Sequence, residues 1–457
     1  MAGIGFEIKK ILKKNSLLSV FEAYGYAGLI GSGPWVLSIL AMVVVGLISI
    51  GVMVSQQMLI QFLVSVTYLM AGSLILTGGL QLMLTRFVSD LLFLKADKEV
   101  LPNVLGAVTI VTLVSGVLGF ATIPLFPENT LFYNLLLAGS FVALCNLWMM
   151  VIFLSGLKEY KLVLAVMLAG YTLLVILSAL LNGFQLEGLI TAFFFCHAFL
   201  FFAFLAIVIR KYPASGNLVS FRFLDKEKAF YSLFLCGTLY NLGVWSDKFV
   251  FWFSQATSEH VVGLFRASLI YDIPIFLAYL SIIPGMAVFL VRIETDFAEQ
   301  HSKYYQAVLG NATLSEILAI KNEMIAAVRR GIYEIFKIQG ITVIALLIWG
   351  GVLLEMLGID LEYRALLNVD LVGVAVQVIF LSILNVLFYL DKRWVANALT
   401  GLFFVVNLFF SMLSIKLGPA FYGYGFVLGV SVPTIVGLLW LNKVFNDLEY
   451  DTYMLQK

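Results

Sequence analysis

The residues best suited to chemistry are ionisable side chains that fall inside apolar stretches, Asp247, Lys248, Arg266 and Asp272. A charge within the hydrocarbon of a membrane costs about 3 kcal/mol or more, so each one indicates a functional site or a buried pair. If the chain turns near Thr257, Lys248 and Arg266 lie at one depth on antiparallel helices, about 13 Å below the turn. At that depth Asp247 is predicted to neutralise Arg266. Lys248 would then point elsewhere, because consecutive helix positions diverge by about 100°.

Three interpretations remain open for Lys248 and Arg266. Their long side chains can carry the charge out to the membrane interface, lock two helices together as an ion pair, or line a polar pathway. The pathway is favoured by a stripe on one helix face, Asn241, Trp245, Lys248 and Trp252. Aromatic rings beside a cation and an amide suit a sugar, which stacks its C–H face and hydrogen-bonds through its hydroxyls. An interfacial belt would also explain Trp252 alone.

The N-terminal part of the chain extends the candidate pathway and offers points at which helices can bend. Glu22 and Tyr26 lie one helical turn apart, shortly before a proline. A proline removes one backbone hydrogen bond of a helix and its ring clashes with the preceding turn, so it favours a kink. The candidate hinge residues are Gly33, Pro34, Pro274 and Pro284.

The sequence offers little to an enzyme, and no cofactor or metal site is expected. His197 is a lone histidine in an apolar run and is interpreted as a buried residue rather than as a general base. The cysteines, Cys145, Cys196 and Cys236, lie in apolar stretches without metal-ligand spacing and are interpreted as small buried hydrophobes. The sequence also contains no phosphate-binding lysine motif, so ATP hydrolysis by this chain is excluded.

The elements that must position these residues are membrane-spanning helices. The chain has 457 residues, of which 62% are hydrophobic and only 12% charged, against about 25% charged in soluble proteins. This composition excludes a soluble enzyme, a disordered chain and an outer-membrane barrel, and a net charge of +1 argues against nucleic acid as a partner. Twelve apolar segments are long enough to span a bilayer: 26–51, 58–84, 103–123, 131–154, 162–181, 189–209, 229–254, 261–290, 332–356, 371–390, 395–415 and 421–441.

Charge placement supports twelve spans with both termini in the cytoplasm. With that orientation, 24 of the 28 lysines and arginines fall in cytoplasmic segments, while the outside loops hold only Arg364 and Lys416. The predicted fold class is therefore an all-α integral membrane protein. We expect an N-lobe of helices 1–6 (residues 1–210), a cytoplasmic linker (211–228) and a C-lobe of helices 7–12 (229–457).

The C-lobe contains a long cytoplasmic segment, residues 292–330, with an amphipathic pattern. Its Thr313-Leu-Ser-Glu316 sequence predicts a capping box at the start of a helix. A stripe that includes Ile317, Lys321 and Met324 follows at helical spacing. Two interpretations stay open for this stripe: an interfacial helix lying on the inner leaflet, or a docking surface for a partner protein.

Several short sequences, taken in order, resemble one family over essentially the whole chain: Met1-Ala-Gly-Ile-Gly-Phe-Glu7, Ala23-Tyr-Gly-Tyr-Ala-Gly28, Arg210-Lys-Tyr-Pro213, Ser246-Asp-Lys-Phe-Val-Phe-Trp-Phe253 and Leu448-Glu-Tyr450. They are similar to the PelG family of Pel exopolysaccharide transporters, a branch of the multidrug/oligosaccharidyl-lipid/polysaccharide exporter superfamily. The resemblance implies two six-helix lobes around a central cavity and export of an N-acetylgalactosamine-rich polymer through the bacterial inner membrane. It also implies membrane partners, PelD (a cyclic di-GMP receptor) and PelE, and a cytoplasmic glycosyltransferase.

The function predicted from the sequence is thus a non-enzymatic polysaccharide transporter embedded in the lipid bilayer. A proton- or sodium-coupled multidrug-type antiporter that uses Asp247 or Asp272 is one alternative. A flippase for lipid-linked oligosaccharides and a scaffold that anchors a synthase through residues 292–330 are the others.

Overall fold

The computed structural model of the chain describes residues 17–50, 55–156, 160–212, 216–226, 229–310 and 312–454. The side chains of some residues in α1 (Leu17–Ile50), Tyr26 and Pro34 among them, lie outside the described part. Over these ranges the chain is mostly helical, as the composition predicts.

The described residues in the first half of the chain form six helices and several short 3₁₀ turns. After α1 come α2 (Gln56–Phe93), α3 (Val100–Thr122), α4 (Leu131–Gly156), α5 (Tyr160–Leu180) and α6 (Gln185–Lys211). The 3₁₀ turns are Asp97–Glu99, Ile123–Leu125, Asn182–Phe184 and Arg222–Leu224.

The second half begins with a helix and a small antiparallel hairpin. These are α7 (Tyr231–Trp252), β1 (Glu259–Val262) and β2 (Phe265–Ala267). There follow α8 (Leu269–Leu280), α9 (Ile282–Val291), a π-helical turn (Arg292–Phe297), α10 (Ala298–Leu309), α11 (Leu314–Met356), α12 (Arg364–Tyr389), α13 (Arg393–Leu417), α14 (Tyr424–Asn446) and α15 (Leu448–Met454), with 3₁₀ turns at Leu361–Tyr363 and Pro419–Phe421.

Ten stretches in the described part of the chain are long and apolar enough to cross a membrane. They are Gln56–Phe93, Asp97–Leu125, Leu131–Val151, Lys161–Leu180, Asn182–Lys211, Leu269–Leu309, Leu314–Met356, Leu361–Tyr389, Arg393–Leu417 and Pro419–Asn446. The chain is therefore a multi-pass helical membrane protein, as predicted. The other two predicted spans, 26–51 and 229–254, coincide with helices α1 and α7. The count of twelve crossings stays a prediction.

Internal contacts divide the chain into two compact units. The C-terminal unit comprises Met1–Ser32, Ser246–Thr257 and Leu269–Lys457, and the N-terminal unit comprises Gly33–Trp245 and Ser258–Ser268. Both α1 and α7 therefore contribute residues to each unit. The lobes predicted at 1–210 and 229–457, with a linker between them, stay a prediction.

The N-terminal unit has an apolar core in which a few polar side chains are paired. Tyr133 donates its hydroxyl proton to Ser65 Oγ (2.9 Å), and the indole N–H of Trp148 donates to Ser73 Oγ (3.0 Å). Helices α2 and α7 touch backbone to backbone, because a Cβ on Gly237 would lie only 2.2 Å from the Gly78 carbonyl oxygen. Small residues permit such close helix crossings in membranes.

The segment predicted as one helix over 261–290 is divided into a hairpin and two helices. Residues 259–267 form β1 and β2, and the helix that follows is interrupted at Ser281. Pro284 explains the interruption, because it has no N–H for the Leu280 carbonyl and its ring collides with that carbonyl in a continuous helix. A buried glutamine from α11 adds a hydrogen bond beside the interruption: Gln339 Nε2 donates to the Ser281 carbonyl (2.9 Å).

The amphipathic segment also differs from the prediction. The predicted capping box is confirmed, since Thr313 Oγ1 accepts from the Glu316 N–H while the Glu316 carboxylate accepts from the Thr313 N–H. However, α11 continues without a break from Leu314 to Met356. It is about 65 Å long, twice the bilayer core, so its first half extends the spanning helix out of the membrane. A continuous helix gives less support to an interfacial helix lying on the leaflet, and the choice between the two interpretations stays a prediction.

The apolar stripe of α11 has partners within the chain. Ile317, Lys321 and Met324 are all buried. Helix α10 packs along α11, and Lys321 Nζ pairs with the Glu449 carboxylate of α15. These three residues are thus covered within the chain as described, and a docking role for them stays a prediction.

We expect Gln339→Leu to destabilise the protein by about 1 kcal/mol, because it removes the hydrogen bond that the buried amide donates to the Ser281 carbonyl. The control is Gln306→Leu, the same change at an exposed position of α10, and it should leave the melting temperature unchanged. Thermal unfolding of the detergent-purified protein measures both. Equal melting temperatures for the two variants would show that Gln339 does not support the interruption.

Candidate functional site

A buried cluster of charged and polar side chains lies in the C-terminal unit and is the candidate functional site. Helices α7, α8, α12, α13 and α14 contribute to it. Asp247 and Lys248, from α7, are at its centre and are 0% and 1% exposed. The other members are Tyr271 and Tyr279 from α8, Asp370 from α12, Asn407 from α13 and Phe426 from α14.

Asp247 receives hydrogen bonds from three different helices. Lys248 Nζ lies 3.0 Å from its Oδ2, the Tyr271 hydroxyl donates to Oδ2 at 2.6 Å, and Asn407 Nδ2 donates to Oδ1 at 3.3 Å. A carboxylate held by a cation and two neutral donors keeps its charge at low cost in an apolar setting. The side chain of Asp247 therefore ties α7 to α8 and α13.

Lys248 ends in an aromatic pocket. Its Nζ lies 5.2 Å from the ring centre of Tyr279 and 5.2 Å from that of Phe426, in addition to its pair with Asp247. Ring faces attract a cation, by about 2 kcal/mol when water is excluded. The interpretation that Lys248 extends to the membrane interface is therefore wrong, because the whole side chain is enclosed by protein.

Asp370 brings a second carboxylate to the cluster. It is 0% exposed, and no described residue donates a hydrogen bond to either of its oxygens. Gly423, at the start of α14, allows this carboxylate its place: its φ is +83°, and a Cβ there would lie 3.0 Å from Asp370 Oδ1. The cluster thus holds two carboxylates and one ammonium group. Among the described residues, Asp247 pairs with the Lys248 ammonium and accepts the hydrogen bonds of Tyr271 and Asn407.

The predicted pairing of Asp247 with Arg266 is wrong. Arg266 lies in β2, not in a helix, and its Nε donates to Ser258 Oγ at 3.0 Å across the hairpin. Asp272 accepts instead from the indole N–H of Trp252 (2.8 Å), so these two predicted residues do meet. The depth comparison failed because it placed Arg266 on a helix antiparallel to α7.

The other predicted pathway residues are described by their own contacts and burial. In the N-terminal unit, Trp245 is buried, and Asn241 donates to the Gly237 carbonyl (2.9 Å) and packs against Gly78. In the C-terminal unit, Glu22 is exposed on α1. The side chain of Tyr26 lies outside the described residues. A pathway role stays a prediction for all the residues that the sequence suggests: Glu22, Tyr26, Asn241, Trp245, Asp247, Lys248, Trp252, Arg266 and Asp272.

The candidate hinges have different settings. Gly33 and Pro34 fall inside the continuous helix α1, in its part whose side chains lie outside the described residues. Pro274 is buried within α8, and Pro284 lies in the first turn of α9, so these two flank the interruption at Ser281. Movement at any of them stays a prediction.

Sequence reasoning missed Tyr271, Tyr279, Asp370 and Asn407. Asp370 was placed just outside the span predicted at 371–390, so its charge was assigned to a loop. The tyrosines and the asparagine are uncharged, and a search for intramembrane charges passes over them. A usable signal was the spacing of polar residues on α13, where Asn407, Ser411 and Ser414 are all buried.

Comparison with known proteins identifies the family. The profile of the PelG exopolysaccharide exporter (EPS-E) family matches residues 1–453. The chain belongs to this family. No curated protein matches the sequence. The resemblance found in the sequence is thereby confirmed.

Similarity to solved structures identifies the fold of this PelG-family chain. A MOP superfamily transporter from Pyrococcus furiosus is 13% identical with a TM-score of 0.66, over 93% of this chain and 95% of that one. An outward-facing MATE family transporter is 16% identical with a TM-score of 0.66, over 93% and 95%. A mutant of the Vibrio cholerae MATE transporter VcmN is 13% identical with a TM-score of 0.64, over 97% and 98%. The chain therefore has the fold of MOP superfamily transporters. Its membership of an exporter family makes it a transporter rather than an enzyme.

Two neutralising substitutions test the roles of the two carboxylates. Asp247→Asn should lower the free energy of unfolding by about 3 kcal/mol, because it leaves Lys248 as an unbalanced buried cation. Asp370→Asn, equally buried, should leave the melting temperature unchanged or raise it, since no described donor is lost. Equal destabilisation by both would show that Asp370 stabilises the Lys248 ammonium as much as Asp247 does.

A double-mutant cycle measures the pair itself. Combining Lys248→Met with Asp247→Asn should be less harmful than the sum of the single changes, with a coupling of about 2 kcal/mol. The same substitutions in the pair Lys392–Asp451, whose side chains are about one-quarter exposed, serve as the control, where about 0.5 kcal/mol is expected. If the effects of the two substitutions in the buried pair are additive, Asp247 and Lys248 do not stabilise one another.

Proposed function

We propose that this chain exports the Pel exopolysaccharide, an N-acetylgalactosamine-rich polymer, across the bacterial inner membrane. The match of the exopolysaccharide exporter family over residues 1–453 carries this proposal, because it covers both compact units. The MOP transporter fold is in keeping with it.

The antiporter alternative has less support. It assigns a dissociable proton or sodium ion to Asp247 or Asp272. Asp247 already holds the ammonium of Lys248, a cation that cannot leave, and Asp272 accepts the indole N–H of Trp252. Protein groups thus already occupy the carboxylates that this alternative requires.

The proposed setting is a membrane complex. Both termini lie in the cytoplasm, as the placement of 24 of 28 basic residues in predicted cytoplasmic segments supports. PelD, PelE and a cytoplasmic glycosyltransferase are the proposed partners, so that the polymer is handed over as it grows. A growing polymer needs a passage that stays open, whereas a flippase alternates its access around one oligosaccharide.

Deletion of the gene in a polymer-producing bacterium tests the proposal. Secreted polymer should be lost, while isolated membranes should still polymerise the nucleotide sugar. Reintroducing the wild-type chain should restore secretion.

The scaffold and the antiporter predict different results. Loss of polymerisation together with secretion would favour a synthase scaffold. Altered drug sensitivity with normal secretion would contradict export and favour the antiporter.

A further inference from the structure

Two adjoining cavities in the C-terminal unit form a groove, and none of the predicted pathway residues whose side chains are described lines it. The larger has a volume of about 660 Å³ and lies between α1, α9 and α11. The smaller, about 330 Å³, lies beside the π-helical turn. Both volumes fall in the range of ligand sites in proteins. We call this the Arg292 groove; its principal residues are Tyr24, Gly25, Pro284, Arg292, Tyr333 and Glu334.

An ion network joins the two cavities. Arg292 Nε donates to Glu334 Oε2 (2.6 Å), and its Nη1 donates to Asp296 Oδ2 (2.8 Å). All three side chains are about one-third exposed. Their charged edges thus reach the groove while the pairing keeps them in fixed positions. Single-turn π-helical segments such as 292–297 often occur at functional sites.

Close helix packing shapes the wall on the α1 side. A Cβ on Gly28 would lie 3.3 Å from Ile283 Cγ2, so α1 lies directly on α9. Gly25 is one turn earlier and exposed, and a Cβ there would have no described side chain within 4 Å. Tyr333, from α11, is 66% exposed. The groove is therefore bounded by one helix contact and open between an aromatic ring and a glycine.

The charges that line the groove balance. Three are cationic and three anionic: Arg292, Arg330 and Lys337 against Asp296, Glu299 and Glu334. A phosphate or another polyanion would require an excess of positive charge, and a lipid tail would not require charges. Fixed donors and acceptors beside the rings of Tyr24 and Tyr333 suit a neutral ligand with many hydroxyls and apolar C–H faces.

We propose that the Arg292 groove binds a short stretch of the exported polysaccharide, with sugar faces on Tyr24 and Tyr333 and hydroxyls on the Arg292–Glu334–Asp296 network. This proposal rests on the proposed function, since it assigns the exported polymer a contact site on the chain. The groove lies beside the middle of α11, at the predicted cytoplasmic end of the span 332–356, where a polymer made in the cytoplasm arrives.

Filling the groove tests the proposal. Gly25→Trp places an indole in its open space and should lower secreted polymer about tenfold, as expected when a ligand site is blocked. Gly340→Trp is the matched control, because Gly340 is on α11, also has no described side chain near its Cβ position, and lines neither cavity. It should secrete within twofold of wild type at equal membrane levels of the chain.

Contact with the polymer is tested by photocrosslinking in cells that produce it. A photoreactive phenylalanine analogue at Tyr333 should attach polymer to the chain, detected by a sugar-binding lectin. The control at Phe336, equally exposed at 64% but lining neither cavity, should not. Tyr333→Ala should lower secretion about fivefold, the effect of one lost aromatic contact.

The outcomes separate this proposal from the proposed function. If deletion of the gene stops secretion but Gly25→Trp and Tyr333→Ala secrete normally, the groove is not a polymer site, and export by the chain stands. Crosslinking at Tyr333 to a protein or a lipid instead of the polymer also overturns it. Secretion that survives deletion of the gene refutes export itself.

Discussion

Hydrocarbon cannot hydrogen-bond, so a charge that a helical membrane protein buries, or a helix break that it contains, is costly unless the chain itself supplies hydrogen-bond partners. The interruption at Ser281 and the ion pair at Asp247 are two cases of this one constraint. In the first, Pro284 removes a helix hydrogen bond, and the amide of Gln339 donates to the Ser281 carbonyl beside the break. In the second, donors from α7, α8 and α13 surround one carboxylate. Each solution requires a neighbouring helix, which links local irregularity to tertiary packing.

The same constraint gives the Asp247–Lys248 pair a role in determining which helices pack together. A buried ion pair is often no more stabilising than apolar side chains of the same size, but removing one partner is costly. Its effect is therefore on which helices can be neighbours: Asp247 satisfies its bonds only when α8 and α13 present Tyr271 and Asn407. A lysine also differs from a bound ion, since it supplies a permanent cation that does not exchange.

Charge placement and apolar length were sufficient to predict the fold class, because lysine and arginine distribution follows the membrane side and span length follows bilayer thickness. These signals contain nothing about local interruptions. Residues 261–265 are mostly apolar, so the β-hairpin was indistinguishable from the start of a spanning helix. The single helix α11 was divided because its amphipathic first half and apolar second half have different patterns. The capping box at Thr313 was correct because it depends on neighbouring residues alone.

The site was harder to predict than the fold for a geometric reason. Adjacent positions on a helix do point about 100° apart, yet a lysine side chain is long enough to curl back to its neighbour. Lys248 Nζ therefore lies 3.0 Å from the Asp247 carboxylate, although the sequence analysis expected the two side chains to point in different directions. The remaining members come from helices that are distant in sequence, and without a structure nothing indicates which of their polar residues converge.

A surface for a moving polymer has requirements opposite to those of the buried cluster. Favourable contacts must admit the ligand, yet each must be weak enough to release it. One aromatic face or one hydrogen bond contributes about 1 kcal/mol, and the next sugar along the polymer can replace it. Charges that are already paired, as Arg292 is with Glu334 and Asp296, offer directed donors and acceptors without the strong attraction of an unpaired ion. The buried pair at Asp247 fixes helices, whereas the exposed pairs in the Arg292 groove favour weak and repeated contacts, and the difference follows from how much water reaches each one.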